Sequence, residues 1–141
     1  MTEANQKPLH FTPDPNAGYT VTRRPDGGMH LTFTDVNEKT LEHWRDFSAE
    51  HLLGSDRLTR NLYDLRNVER LSERAIKIAV ELNSDPSTRN IRLAVVVADK
   101  KVRKAIQEVA DLTPAGGARM MIFDEIDQAE EWLNRPIEQM I

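Results

Sequence analysis

The stretch "IRLAVVVADKKVRKAIQEVADL", Ile91 to Leu112, decides the fold. Its opening, "IRLAVVVA", is apolar at nearly every position, the mark of a strand covered on both faces and characteristic of parallel sheets. The remainder switches to a helical period, with Val102, Ala105, Ile106 and Val109 in a narrow stripe. Asp99 stands between the two parts, placed to cap the helix and to favour its dipole. A buried strand running straight into an amphipathic helix is a βα unit.

The same unit recurs on either side. Upstream, "RNLYDLR" reads as a short strand and "SERAIKIAVELN" as a helix capped by Ser72. Downstream, "ARMMIFD" reads as another buried strand, and "EIDQAEEWLNR" as a helix with Ile126, Ala129, Trp132 and Leu133 on one side and Asp124 as its cap. Further back, "NEKTLEHWRDFSAEHLLG" is helical, with Leu41, Trp44, Ser48 and Leu52 sharing a face, Phe47 flanking it and Gly54 supplying a stop. Before that, "GYTVTRRPDGGMHLTFTD" alternates on both sides of "PDGG", a hairpin whose polar face suits a sheet edge. Pro25 and Asp26 set the turn, and Gly27 or Gly28 is available for positive φ. The expected order is β-β-α-β-α-β-α-β-α: an α/β domain over residues 18–141 with a mixed, mostly parallel sheet of about five strands. Residues 1–17, with Pro8, Pro13 and Pro15, read as a loose arm.

Bulk properties narrow the function. The 141 residues are 39% hydrophobic and 30% charged, sized for one core. A net charge of −4 argues against a dedicated nucleic-acid or anionic-membrane binder. The absence of cysteine excludes disulfides, thiolate nucleophiles and Cys-ligated metals. No apolar run approaches a membrane span, and the N-terminus lacks a signal-peptide pattern, so a cytoplasmic location is expected.

The segments "NLYDLR", "IRLAVVVADKKVRKA" and "MMIFDEIDQAEEWL" together resemble the SpoIIAA-like, STAS-type family. The Asp-Leu-Arg strand end, the Ala-Val-Val strand and the closing pattern of Phe123, Ala129, Trp132 and Leu133 carry the resemblance, which spans Leu58 to Leu133. It implies a right-handed βα superhelix and a non-catalytic regulatory module that binds protein partners. In that family a phosphorylatable serine follows an aspartate at the start of the helix after the Asp-Leu strand. Here Ser72 falls where the aspartate would stand and Glu73 where the serine would, with no glycine after it. Ser72 is therefore expected to act as a helix cap, accepting from Arg74 or Ala75, rather than as a switch.

Candidate sites are then few. His43, Asp46 and Glu50 wind to the helix face opposite Trp44, whereas His51 sits beside Phe47, so they do not converge on a metal. Asp35, Asp64, Asp99 and Asp124 mark strand ends, the edge where α/β folds bind ligands, but capping explains the last two. "PAGG" (114–117) lacks the Lys-Ser/Thr of a phosphate loop and reads as a turn. No cofactor and no catalytic residue is expected. Lys100, Lys101 and Arg103 crowd the wrong end of a helix for cations. With Arg66, and with Ile76 and Val80 widening the apolar arc of the preceding helix, they form a candidate partner surface.

Two further expectations concern apolar surface. The central strands are apolar on both faces, so the first helix, the N-terminal arm or a second copy must cover the second face, and a homodimer is a serious option. The alternative function is carriage of a small apolar molecule or lipid, as in the related CRAL-TRIO fold, in a cavity lined by residues such as Trp44, Phe47 and Met121.

Overall fold

The computed structural model describes residues 16–51, 59–114 and 117–136. Five strands and four helices alternate: β1 (Tyr19–Arg23), β2 (Met29–Phe33), α1 (Glu38–His51), β3 (Thr59–Asp64), α2 (Glu73–Ser84), β4 (Ile91–Val96), α3 (Lys100–Leu112), β5 (Arg119–Phe123) and α4 (Ile126–Leu133). A short 3₁₀ turn at Pro86–Thr88, which the expected order of elements did not include, joins α2 to β4, with Asp85 capping it and Pro86 opening it. The greater part of the expected arm, and the expected Leu52 contact and Gly54 stop, lie outside the described residues.

The sheet order is sequential, β1-β2-β3-β4-β5, with β1 antiparallel to β2 and every later pair parallel. The hairpin turn is closed by Gly27, whose φ of 90° is the left-handed conformation that glycine tolerates. Gly28 serves differently: a Cβ there would lie 1.6 Å from the Arg60 carbonyl oxygen, so the absent side chain lets β2 come up to β3. Asn61 completes that junction by accepting from the Met29 amide at 2.9 Å.

Period-two alternation sorts the strands onto two faces. On the first, Leu31, Phe33, Tyr63, Leu93 and Val95 pack with Leu41, Trp44 and Phe47 of α1, Ala75 and Ile78 of α2, and Val102 and Ile106 of α3. On the second, Leu62, Ala94 and Val96 pack with Ala129, Trp132 and Leu133 of α4. This corrects the expectation for the second face. Its cover is α4, while α1 joins α2 and α3 on the first. The reason is connectivity: helices joining successive parallel strands stay on one side, but α4 follows the last strand and is free to cross to the other.

A second correction concerns β5. It is an edge strand, exposed or half-buried throughout, instead of a buried one. Met121 is 43% exposed on it and, with Leu112 of α3 at 57%, stands out among the described residues as large exposed apolar surface.

Helix starts follow local chemistry. Ser72 Oγ accepts from the Ala75 amide at 3.1 Å and Asp99 from the Lys101 amide at 2.7 Å, so both expected caps form. The third does not. The cap position of α4 is Glu125, whose side chain makes no capping bond. Asp124 is displaced one residue outward and ion-pairs with Arg103 instead. Among the described residues, no helix is long and apolar enough to cross a membrane.

Candidate functional site

The carboxyl ends of β3, β4 and β5, with the first turns of α2 and α3, bring together most of the residues expected at a partner surface. The Arg66 guanidinium folds back onto Asp64 in a two-pronged pair, Nε to Oδ1 at 3.0 Å and Nη2 to Oδ2 at 2.8 Å, and its backbone amide adds a third bond at 3.1 Å. Burial alone would raise the Asp64 carboxyl, but these bonds from Arg66 outweigh it and hold the pKa below the usual carboxylate value. Asp99 is occupied by the α3 cap, and Asp124 by Arg103 across from α3. Lys100 and Lys101 remain exposed, with no carboxylate within 4.0 Å among the described residues.

Asp64, Asp99 and Asp124 are thus engaged in structural bonds. What is left exposed is a mixed rim, with Lys100 and Lys101 beside Glu73 and Glu125. Ile76 and Val80 are half-buried along α2, so intramolecular packing takes up part of the wide apolar arc. At the base of the same helix, Arg74 ion-pairs with Glu38 of α1 at 2.9 Å.

Where a cavity for an apolar ligand was expected there is a small apolar hollow. It lies between the first sheet face and the helices, lined by Phe33, Trp44, Tyr63, Ala79, Ile106 and Met120, and measures about 60 Å³. Small-molecule sites typically run to roughly 300–1,000 Å³. Of the residues expected to line it, Trp44 does so. Phe47 is buried outside it, stacked on His51 at 4.2 Å between ring centroids. Met121 points to the opposite face of the sheet, because it pairs in register with Ala94 while Met120 pairs with Leu93. Trp44 donates from Nε1 to the Tyr63 hydroxyl at 3.1 Å, and burial pushes the Tyr63 pKa up to about 12.

The helix-α1 histidines diverge. His43 Nδ1 lies 2.6 Å from the Tyr19 hydroxyl, and His51 Nδ1 lies 3.0 Å from the Phe47 carbonyl oxygen. No group of three or more His, Asp or Glu side chains able to hold a metal occurs among the described residues.

Sequence reasoning missed the arginines at the other end of the sheet. Arg24, in the hairpin loop, is 6% exposed and bridges Asp26 at 3.0 Å and Glu130 of α4 at 2.7 Å, tying the hairpin to the helix on the second face. Arg60, Arg92 and Arg119 stand side by side on β3, β4 and β5. The available signal was an arginine at the first or second position of each of these three strands, in "TRN", "IRL" and "ARM".

No family model matches the sequence, and no curated protein matches it significantly. Among solved structures, the chain is similar to an uncharacterized protein of the DUF3478 family from Shewanella loihica PV-4, described as having a SpoIIAA-like fold. The superposition covers 87% of this chain and 99% of that one, with a TM-score of 0.59 at 16% sequence identity. The sequential strand order, the antiparallel first hairpin and the helix after every later strand agree with that likeness, and the chain has a SpoIIAA-like fold.

Proposed function

We propose that this chain is a non-catalytic STAS-type interaction module. It docks an acidic protein partner over the carboxyl ends of the parallel strands, around Arg66, Ile76, Val80, Lys100, Lys101 and Arg103. The observation that carries this reading is the charge state of that edge. Asp64, Asp99 and Asp124 are consumed by Arg66, the α3 cap and Arg103, while Lys100 and Lys101 project unpaired by any described carboxylate from a chain of net charge −4. Exposed lysines with no acidic partner of their own can steer an acidic partner to this face. Ile76 and Val80 supply the adjoining half-buried apolar surface.

A photo-cross-linking residue placed at exposed Lys104, in the organism that makes the protein, tests this reading. The expected result is one discrete heavier adduct that disappears in K100E/K101E. The reading fails if the adduct persists in that variant, or if a cross-linker at Thr22, on the far edge strand, yields the same species.

Self-association is a second reading, favoured by Met121 exposed on the open edge strand β5. Light scattering coupled to size exclusion should then report a dimer that M121K dissociates. A monomer at high protein concentration counts against it.

A further inference from the structure

The amino ends of the parallel strands hold a different cluster. Arg60 and Arg92 are Cα partners across β3 and β4, and Arg92 and Arg119 are Cα partners across β4 and β5. Neighbouring strands lie about 4.8 Å apart, so these three side chains leave the same sheet face in one row about 10 Å long. Alternation places them on the α4 face, since each stands two residues before Leu62, Ala94 or Met121.

Like charges directly opposite one another in a sheet are destabilising unless something neutralises them. Within the described residues nothing does. Among the described residues no carboxylate comes within 4.0 Å of any of the three; on α4, Glu131 pairs with Arg135 and Glu130 with Arg24. The acceptors the row does have are neutral carbonyls. Arg60 Nη2 reaches the Arg135 carbonyl at 3.4 Å beyond the end of α4, and Arg92 Nη1 reaches the Arg89 carbonyl at 3.1 Å. Arg60 and Arg92 each keep a buried Nε–H with no acceptor, and Arg92 is only 9% exposed. Burial first, and the Arg119 charge second, pull the Arg92 pKa below the ordinary guanidinium value. Arg119 is exposed and Arg60 half-buried, so the row opens to solvent at its ends.

We propose that Arg60, Arg92 and Arg119 form a binding site for a phosphate-class oxyanion, free or carried on a small molecule. The guanidinium fork matches phosphate oxygens two at a time, which a lysine row would not do. A multiply charged oxyanion supplies the negative charge and the acceptors that the row lacks. The site sits at the opposite end of the sheet from the proposed docking rim and does not depend on it.

Thermal unfolding and titration calorimetry with inorganic phosphate, pyrophosphate and glycerol phosphate, each against chloride at equal ionic strength, test the site. Saturable binding and a raised Tm are expected with phosphate-class anions and not with chloride. Tighter binding of glycerol phosphate than of inorganic phosphate assigns an esterified ligand, and the reverse assigns the free ion. R119A, an exposed change that leaves the fold in place, should weaken binding at least tenfold, and R92M should abolish it. R92M without anion should unfold at a higher temperature than the parent, because it removes a buried, crowded cation. R45A on α1 is the control and should bind as the parent does. An equal response to chloride, or unweakened binding by R119A, overturns the proposal.

Discussion

The two ends of the parallel sheet treat arginine in opposite ways. At the carboxyl ends, Arg66 and Arg103 each meet a carboxylate presented by the end of a strand, Asp64 and Asp124. At the amino ends, Arg60, Arg92 and Arg119 meet one another. The difference teaches how backbone direction distributes charge. A strand that feeds a helix ends where capping acids are useful, so carboxylates accumulate at that end and neutralise neighbouring cations. The start of a strand has no such demand. Arginines placed there acquire acidic partners only if a loop or helix supplies them, as Asp26 and Glu130 do for Arg24.

The comparison can be broken or sharpened by substitution. The largest effect should come from Trp132→Ala. Trp132 is 4% exposed and belongs to the α4 clamp, which runs from Phe123 at one end of the sheet towards the Arg135 carbonyl at the other. Removing it should cost about 3–5 kcal/mol in urea unfolding. A loss below 1 kcal/mol would mean that α4 does not hold the second face.

Next in size is Asp64→Asn, which strips Arg66 of its partner and should cost about 1–3 kcal/mol at pH 7. The sign of its pH dependence is fixed. A carboxyl whose folded pKa is depressed contributes stability that is fully present above the unfolded value of about 3.9 and is lost as pH falls through the folded value. The parent and D64N should therefore converge in stability under strongly acid conditions and diverge at neutral pH. Parallel curves from acid to neutral would remove the Asp64–Arg66 pair as the cause.

Ser72→Ala and Asp99→Ala should each cost about 1 kcal/mol through loss of a cap. Asp124→Ala, which breaks only a solvent-exposed ion pair, should cost less than about 1 kcal/mol and lose even that in high salt. The smallest effect should be a gain: Glu125→Asp gives α4 the short side chain that its uncapped start lacks, worth about 0.5 kcal/mol. Thermal unfolding of the four variants side by side ranks them. Equal losses in D124A and D99A would return Asp124 to a capping role.

Much of the candidate docking edge was legible residue by residue. Ser72 and Asp99 cap because a short oxygen-bearing side chain before a helical stripe bonds to the first free amides, an interaction that spans two or three residues of chain. Asp124 misled for the same local reason: two acids stand side by side before α4, and the backbone turn takes the second as its boundary. Arg66 read as a free cation because nothing local distinguishes it from one. Its fold-back onto Asp64, two residues earlier, depends on the side of the strand end that the following loop takes.

The apolar patterns alone determined the order of strands and helices, the parallel character of the centre and the positions of the turns, because each rests on a periodicity or a steric preference expressed within a few residues. Alternation likewise put Met120 and Met121 on opposite faces. Only the tertiary structure decided which face received three helices and which received α4, hence which methionine lines the cavity and which stands exposed on the edge. It alone decided the register that sets Arg60, Arg92 and Arg119 abreast, since one residue of slippage in any strand would turn its arginine to the other face. Pairing between distant segments carries no local signature, and that is the physical reason the recurring arginines at three strand starts could not be read as one row until the strands were laid together.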